Sequence, residues 1–341
     1  MIGRIIEALY LKIFVNIVVN HTTSTVYIEV CNKKGVLSSV SEEFNTTTIN
    51  DKMFNFINSY IKDTPYFYIT ILDSSLYQGA LSSCENSYIS NFIEVDNYKL
   101  ICYKKRYSFY TSKDSIKQFY KDYSRVGIDF IFSPFLIISH FFKDKIDSHL
   151  ALFILIEESY LSLAIFDNSN LLYASHLNMS DDILDDNLDI EDEELNLDEE
   201  DDGIDLEEID ALDELDSLDG LDDFGDIEDL DAIDDIDEFS DARDFEEELQ
   251  EDAESDDEIT NEENENFGVD YNRYSMIQSS LNNFYQDDKY DSKFIETVYI
   301  ADGVGVSSDL KKYLEEELFL SVYVRQLDIA MELCELAKNE I

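Results

Sequence analysis

The sequence of 341 residues has no tryptophan, two prolines and ten glycines, and its four cysteines lie far apart. So little proline and glycine excludes collagen-like repeats and proline-rich linkers. No two cysteines have the CxxC spacing of a zinc or redox site, and the four histidines do not cluster. We therefore predict reduced, mostly buried thiols, as in a cytosolic protein, and no metal site.

Long uncharged apolar runs are also missing. Glu7 and Lys12 interrupt the apolar N-terminus, and no small-residue cleavage site of a signal peptide follows. The longest apolar run, residues 130–142, contains Pro134 and is shorter than the roughly 20 residues that cross a bilayer. We expect no transmembrane segment, so any association with a membrane would go through a partner.

Basic residues are nearly absent from residues 181–265, which contain 46 acidic residues and one arginine. This tract therefore has a formal charge of −45, out of −54 for the whole chain. The remaining 256 residues carry only −9 and are rich in Ile, Leu, Phe and Tyr. They are numerous enough for one large domain or two lobes with a sizeable core.

Within the acidic tract an apolar residue returns at every third position between Leu206 and Phe239. A helix advances about 100° per residue, so this spacing winds the apolar stripe around the helix and no long amphipathic helix can bury it. Dense like charge also opposes collapse. The sequence therefore predicts a disordered acidic insert at residues 181–265.

Two interpretations of the tract stay open. It is either a low-complexity expansion that keeps the protein soluble, or an arm whose apolar anchors dock on an apolar groove with a basic rim. Its charge excludes DNA binding through the arm, although mimicry of DNA stays open. The candidate partner-binding anchors are Leu212, Leu215, Leu218, Leu221, Phe224, Ile227 and Leu230.

Outside the tract, strand-like and helix-like segments alternate, which indicates an α/β fold. Residues 38–43 and 45–50 are predicted to be a polar connection into a helix at 51–61. Predicted strands lie at residues 13–19, 25–30, 66–72, 95–103, 128–132, 150–156, 160–167, 171–177, 297–301 and 322–324. The other predicted helices lie at residues 112–123, with Ser112 as N-cap, and at 135–142, 274–285 and 309–318.

Three passages resemble a known family. Residues 296–324, ETVYIADGVGVSSDLKKYLEEELFLSVYV, follow a helix at 274–285, YSMIQSSLNNFY. The other two are YSRVGIDFIFSPFLIISHFF at 123–142 and LFILIEESYLSLAIFDNSNLLYASHL at 152–177. In order and spacing these passages are similar to the PilM proteins of type IV pilus systems and the cytoplasmic domain of GspL in type II secretion.

The resemblance implies an actin-like (ribonuclease H-like) two-lobed α/β fold interrupted by the acidic insert. Residues 1–148 would form the first lobe, and residues 149–180 with 266–341 the second. The insert at 181–265 then takes the place of the small subdomain that the family carries in its second lobe.

Actin-like ATPases use a D-x-G turn in each lobe, where glycine lets backbone N–H groups approach phosphate. Here the corresponding turns are Asn20–His21–Thr22 and Glu157–Glu158–Ser159, and Tyr27 stands near the family's lysine. Only the last motif keeps nucleotide-binding character, and we predict no hydrolysis and no cofactor other than ATP as a candidate. The residues of this remnant loop are Asp302, Gly303, Gly305 and Ser307.

The favoured function is a scaffold in the assembly platform of a type IV pilus, type II secretion or DNA-uptake machine. By resemblance it would bind the cytoplasmic tail of a PilN-like inner-membrane protein and contact the assembly ATPase, with no nucleic-acid partner. It would be cytoplasmic and peripheral to the inner membrane through these partners. The alternatives are an active ATPase or kinase and an acidic interaction hub. The cluster Lys104–Lys105–Arg106 is predicted to be a solvated turn, or the place where the acidic arm folds back.

Overall fold

The computed structural model describes residues 11–179, 261–287, 289–290 and 292–341, and side chains of the helix that begins at Asn261 from residue 268 onward. The predicted anchors, Leu212 to Leu230, lie outside the described residues, as does most of the acidic tract. Among the described residues, no helix is both long and apolar enough to cross a membrane.

Five strands form the first sheet in the order β3-β2-β1-β4-β8. They are β1 Lys12–Val19, β2 Ser24–Asn32, β3 Gly35–Phe44, β4 Phe67–Leu72 and β8 Phe130–Phe132. The first three strands pair antiparallel, whereas β4 is parallel to β1 and β8 is parallel to β4.

The second sheet repeats this arrangement in the order β11-β10-β9-β12-β13. Its strands are β9 Ala151–Ile156, β10 Tyr160–Asp167, β11 Asn170–Asn178, β12 Thr297–Asp302 and β13 Ser321–Gln326. Again the first three strands pair antiparallel and the last two are parallel to the first. The same order and directions in both sheets show that the fold is a structural duplication.

A small antiparallel sheet, in the order β5-β7-β6, is inserted in the first repeat between β4 and β8. Its strands are β5 Gln78–Leu81, β6 Tyr98–Tyr103 and β7 Tyr107–Ser112. Lys104 and Lys105 have positive φ angles of 49° and 60° in the tight turn between β6 and β7. The predicted turn at Lys104–Lys105–Arg106 is therefore confirmed.

Helices follow strands at equivalent positions of the two repeats. They are α1 Asp51–Ile61, the single turn α2 Asn86–Ile89, α3 Lys113–Asp122, α4 Pro134–Phe141, α5 Asn261–Gln286, α6 Ser308–Glu316 and α7 Ile329–Asn339. Helix α1 has the predicted bounds. Ser112 is the N-cap of α3, as predicted, and its Oγ accepts a hydrogen bond from the backbone N–H of Asp114.

The central strands are apolar on both faces, and alternate residues enter different cores. In β1, Ile13 and Ile17 pack with the outer helix α1, whereas Phe14 packs in a central core between the sheets. In β9, Ile154 packs with α5 and α6, whereas Phe153 packs in the central core. The result is five layers, with helices outside each sheet and between them.

Each of the two central helices packs on the sheet of the other repeat. Helix α4, which ends the first repeat, packs on β9 and β10 of the second sheet. Helix α7, which ends the second repeat, packs on β1, β2 and β4 of the first sheet and on α4. Sequence analysis assigned residues 266–341 to the second lobe, and the structure shows that this last helix contacts the first sheet.

The duplicated order of three antiparallel and two parallel strands, with helices exchanged at the centre, is the actin-like, ribonuclease H-like topology. The predicted α/β fold class is therefore confirmed.

Two local predictions are wrong. Residues 38–43 are not a connection but part of β3, an edge strand whose backbone pairs with β2 and whose polar side chains face solvent. Cys84 and Cys102 are not free thiols but form a disulfide across the small sheet, because folding brings their Cα atoms to 5.4 Å. Cys31 and Cys334 are free and buried, as predicted.

A buried ion pair fastens α7 to the first sheet. The Glu29 carboxylate in β2 is almost fully buried and pairs with the Lys338 ammonium group near the end of α7. Burial alone would raise the pKa of Glu29, but hydrogen bonds from Lys338, Cys31 and Tyr27 outweigh it and hold that pKa below its ordinary value. Glu29 therefore stays charged because the partners are in place.

The variant Lys338→Met should lose about 2 kcal/mol of unfolding free energy, because it leaves a buried carboxylate without its cation. Urea denaturation at pH 7 measures the loss. Lys143→Met removes an exposed lysine and serves as the control, with a change within about 0.5 kcal/mol. The double variant Glu29→Gln with Lys338→Met should recover part of the stability. Equal stabilities of Lys338→Met and the control would contradict this role.

Candidate functional site

The parallel strands of each sheet end at the same edge, where ligands bind in open α/β sheets. In the first sheet, Asp73 and Ser133 follow β4 and β8. In the second sheet, Glu157 follows β9, and the loop of residues 303–307 follows β12. This edge contains the remnant nucleotide loop predicted from the sequence.

Asp302, the last residue of β12, accepts hydrogen bonds from the backbone of the loop that follows it. Its Oδ1 accepts hydrogen bonds from the backbone N–H groups of Val304, at 3.0 Å, and Gly305, at 2.8 Å. Its Oδ2 accepts one from the N–H of Val306, also at 3.0 Å. Gly305 has φ +81°, a conformation that glycine adopts without strain and that points successive N–H groups toward one centre.

A second carboxylate completes the loop. Asp270 of α5 is buried, and its Oδ2 accepts hydrogen bonds from the backbone N–H and hydroxyl of Ser307. Its Oδ1 pairs with the Arg273 guanidinium group at 2.7 Å, so the buried charge is compensated. The N–H of Gly303 donates to the carbonyl oxygen of Ile156. Every backbone N–H of residues 303–307 therefore has an acceptor within the chain.

This arrangement changes what the loop can bind. A concave run of backbone N–H groups binds phosphate when those groups are free. Here the carboxylates of Asp302 and Asp270 take the place of an anion. A phosphate would have to displace both, and it would meet their negative charge as it approached.

In the second sheet, the turn Glu157–Glu158–Ser159, which corresponds to a D-x-G turn of the family, is filled by one of its own side chains. The Glu157 side chain points inward and is 5% exposed, and Glu158 is exposed. A Cβ atom on residue 303 would lie 1.8 Å from Glu157 Oε1, so Gly303 makes room for this carboxyl group. Glu157 Oε1 has no hydrogen-bond partner among the described residues.

Burial raises the pKa of Glu157 to about 8, and the nearby charges of Glu158 and Asp302 add to the effect. Arg273 opposes the shift without cancelling it. The group is therefore largely protonated at pH 7 and occupies this turn as a neutral carboxylic acid.

In the first sheet, the corresponding turn Asn20–His21–Thr22 has no carboxylate. The backbone N–H of Asn20 donates to the carbonyl oxygen of Thr23 at 2.9 Å, which closes a tight turn with His21 and Thr22 exposed. Tyr27 is buried, and its hydroxyl donates to Glu29 rather than reaching the site edge. This hairpin therefore has no cation at the family's lysine position.

Buried polar side chains join the repeats beside these turns. Asp73 accepts hydrogen bonds from Ser75 and Thr111, and burial raises its pKa. Gln78 lies 3.5 Å from His176 of the second sheet, nitrogen to nitrogen. Burial lowers the pKa of His176 to about 4, so this imidazole is neutral at pH 7. Among the described residues, no group of three or more His, Cys, Asp or Glu side chains is placed to hold a metal ion.

A separate apolar groove of about 700 Å³ opens in the first repeat. It lies between the small sheet, α3, α4 and β8, and reaches Asp73 at its inner end. Ile101 and Tyr120 line it and are 56% and 50% exposed. Both β6 and β8 are edge strands of their sheets. The groove therefore offers apolar surface beside strand edges with backbone groups free to pair.

Basic side chains border the groove. Lys99 of β6 and Lys113 and Lys117 of α3 are among its lining residues. Residues 99–125 contain eight Lys or Arg and only two Asp, although the chain as a whole carries −54. A third of the 24 basic residues of this protein therefore lie in this segment, and the three that line the groove share it with the carboxyl groups of Asp73, Asp129 and Glu340.

The structure brings the four predicted loop residues together. Asp302 accepts hydrogen bonds from the loop backbone, and Gly303 faces Glu157. Gly305 has the positive φ angle of the turn, and Ser307 is the N-cap of α6. Their role in binding nucleotide stays a prediction. Sequence analysis missed Asp270 and Arg273, which precede the predicted helix at 274–285 but lie within α5. It also missed the groove, for which the density of basic residues in 99–125 was the available signal.

The duplicated sheets and the loop at their carboxyl edge define an actin-like protein. Residues 152–341 match the family described as Domain of unknown function (DUF8341), and residues 10–139 match the family described as Domain of unknown function (DUF8569). Because the first match covers more than half of the chain, the protein belongs to the DUF8341 family. No curated protein matches the chain.

Several solved structures are similar at low identity. A Bacteroides thetaiotaomicron protein with an actin-like ATPase fold and unknown function is 9% identical, with 94% of this chain and 95% of that chain covered and a TM-score of 0.47. A chain of a PilM-PilN type IV pilus biogenesis complex is 9% identical, with 91% and 87% covered and a TM-score of 0.49. Ethanolamine utilization protein EutJ from Carboxydothermus hydrogenoformans is 7% identical, with 92% and 84% covered and a TM-score of 0.39.

Between pH 4.5 and 8, the unfolding free energy of the wild-type protein should fall more steeply with pH than that of Glu157→Gln. The two slopes should differ by on the order of 1 kcal/mol per pH unit. A carboxyl group whose pKa is raised on folding stabilises the protein fully below its unfolded pKa, and this contribution is lost as pH rises through the folded pKa. Urea denaturation of both proteins at intervals of one pH unit measures the difference. Glu158→Gln, an exposed neighbour, is the matched control. Parallel pH profiles of Glu157→Gln and wild type would contradict a buried, protonated Glu157.

Proposed function

We propose that this protein is a non-hydrolysing actin-like scaffold that binds an extended segment of a partner in its first repeat. The observation that carries the first half of this proposal is the occupied loop, in which Asp302 and Asp270 accept the N–H groups of residues 304–307. Catalysis of phosphoryl transfer depends on positioned donors and cations around the phosphates. Two of the three turns described here offer carboxyl groups instead, and the first, Asn20–His21–Thr22, has neither a carboxylate nor a cation from Tyr27.

The groove supports the second half of the proposal. A partner segment in extended conformation could pair with the edge of β6 or β8 and place alternate side chains on the apolar surface. Ile101 and Tyr120 are well exposed, and neither side chain is needed to fill a core. Exposed apolar side chains gathered in a concave site are typical of protein-binding surfaces.

The proposed partner follows from the sequence resemblance. PilM-like scaffolds hold the cytoplasmic tail of a PilN-like inner-membrane protein in a groove of the first lobe, and the groove here is in the first repeat. We propose that this protein binds such a tail, contacts the assembly ATPase of a pilus, secretion or DNA-uptake machine, and is cytoplasmic and peripheral to the inner membrane.

An active ATPase or kinase is the competing function, and the melting temperature of the full chain with ATP tests it. We expect 5 mM ATP with Mg²⁺ to raise the melting temperature by less than about 1 °C, because a ligand stabilises only in proportion to its binding to the folded state. Sulfate at equal ionic strength controls for salt effects. A rise of several degrees with Mg-ATP, but not with sulfate, would contradict an occupied loop that excludes nucleotide, and release of phosphate from Mg-ATP would contradict the non-hydrolysing proposal.

Substitutions in the groove test the scaffold function. Ile101→Glu and Tyr120→Glu should each weaken binding of the partner tail at least about tenfold, since burial of one large apolar side chain contributes about 1.5–3 kcal/mol. A membrane protein is first recovered from the native host with the full chain. Its cytoplasmic tail is then synthesised with a fluorescent label and titrated by anisotropy.

Leu37→Glu is the matched control for this experiment. Leu37 is 55% exposed, close to the 56% of Ile101, and lies on β3 away from the groove. All three variants should keep wild-type stability within about 0.5 kcal/mol, because their side chains are exposed. Equal affinities of Ile101→Glu, Tyr120→Glu and wild type for the tail would reject the groove as its binding site.

A further inference from the structure

Asp73 differs in burial from every other charged residue that lines the apolar groove. It is 1% exposed at the inner end of the groove, where Thr111 and Ser133 also line it. The remaining charged lining residues are all exposed and carry both signs: Lys99, Lys113, Lys117, Asp129 and Glu340. The rim of the groove is therefore mixed in charge, whereas its inner end has one buried carboxyl group.

The lysines of the rim do not compensate this carboxyl group. The Lys113 ammonium group donates to the carbonyl oxygen of Asp96, and Lys117 pairs with Asp114 at 2.8 Å. Asp73 itself has hydrogen bonds but no ion pair within the part of the chain that the structure describes. A buried carboxylate without a cation is costly, so this end of the groove favours a ligand that supplies positive charge.

The hydrogen bonds of Asp73 leave room for one more donor. Its Oδ1 accepts from the backbone N–H and the hydroxyl of Ser75, at 2.9 and 2.6 Å. Its Oδ2 accepts from the Thr111 hydroxyl at 2.7 Å, and from no other donor among the described residues. A carboxylate has about four acceptor sites, so Oδ2 keeps one open. Burial raises the pKa of Asp73 despite these bonds, and a cation at the open site would relieve the cost of its charge.

The aromatic lining of the groove suits a basic side chain better than a bare metal ion. Tyr103, Phe109, Phe130 and Phe132 all line it. The methylene stem of lysine or arginine packs on apolar surface while its charged end reaches a polar group, and aromatic rings also attract the cation. A metal ion would need several oxygen or nitrogen ligands, and the described residues contain no cluster that provides them.

We propose that Asp73 determines the specificity of the groove by binding the ammonium or guanidinium group of a lysine or arginine in the partner segment. Side chains two residues apart in an extended segment face the same surface, so apolar residues at those positions lie on Ile101 and Tyr120. This inference deepens the proposed function and rests on it for the identity of the partner. Cytoplasmic segments next to a membrane span are rich in Lys and Arg, so the proposed tail offers such a side chain.

Peptide selection on the full chain tests the chemistry of the partner segment. A phage-displayed library of random 12-residue peptides serves as the probe, and sequencing identifies the binders. We expect Lys or Arg at one position at least about fivefold above its frequency in the library, with apolar residues two positions away. Selection on Asp73→Asn should lose the basic residue and keep the apolar ones.

The variant Asp73→Asn should fold like the wild type. Its amide oxygen still accepts from Ser75, and its amide N–H can donate to the Thr111 hydroxyl. Asp63→Asn is the matched control, because Asp63 is exposed and lies outside the groove. This control should select the same basic peptides as the wild type.

A double-mutant cycle measures the contact itself. The strongest selected peptide is labelled with a fluorophore and titrated by anisotropy, and in a second peptide norleucine, which has no charge, replaces the basic residue. We expect this replacement to weaken binding to the wild type at least about tenfold and binding to Asp73→Asn less than about twofold. The norleucine peptide should bind both proteins equally, which shows that the groove of the variant is intact.

The outcomes separate this inference from the proposed function. Selected peptides without an enriched basic residue, or a norleucine replacement that weakens binding equally in both proteins, would overturn the role of Asp73. If those peptides still lose affinity for Ile101→Glu, the groove stands as the binding site and only this inference fails.

The recovered membrane-protein tail provides the opposite case. If basic peptides bind in a way that depends on Asp73 but that tail does not bind, the proposed partner fails and the role of Asp73 stands. A selection that yields no peptide dependent on Ile101 would overturn both.

Discussion

The shared layer of α4 and α7 is the feature on which the rest of this structure depends. Both sheets are apolar on both faces, so each needs helices on two sides to remove its side chains from water. The fold meets this need by exchange, since each repeat ends in a helix that covers the sheet of the other. The two repeats therefore share one central core, and the Glu29–Lys338 pair fixes the far end of the exchanged helix.

That exchange also brings the carboxyl edges of the two sheets together. An edge that binds phosphate leaves backbone N–H groups free and room for the anion. Here Asp302 and Asp270 satisfy the loop, and Glu157 lies where Gly303 leaves space. Buried polar groups are stable only when they are paired or neutral, and these carboxyl groups meet that condition in two ways. Two are hydrogen-bonded to the loop, and the third is largely protonated at pH 7.

Charge is segregated in this protein to an unusual degree. One tract has −45 of the net charge of −54, and one hairpin with its following helix has a third of all basic residues. The insertion that forms the basic element lies in the first repeat between β4 and β8, and the acidic tract lies in the second repeat between β11 and β12. In chain order, the basic segment and the acidic tract therefore interrupt different repeats.

Much of the fold could be predicted from the sequence. Periodicity predicted nearly every strand of the two large sheets, because strands that are buried on both faces are long apolar runs bounded by turns. It failed for β3, whose polar residues face solvent at a sheet edge, and it missed β5 and β7 of the small sheet. Strands β3 and β7 pair with the strand directly before each of them in the chain, but their sequences lack the continuous apolar runs of the central strands.

The candidate sites divide in the same way. The sequence by itself determined that Asp302 and its glycines form a loop and that one tract holds most of the negative charge, since both follow from local composition and spacing. The departures at Asn20–His21–Thr22 and Glu157–Glu158–Ser159 came from the resemblance to the PilM and GspL family. Only the tertiary structure decided that Asp270 and Asp302 satisfy the loop and that Glu157 is buried against Gly303. It alone brought the lysines of β6 and α3 to the rim of one apolar groove. These are contacts between residues far apart in the chain, and only the packing of the two sheets around their shared helices creates them.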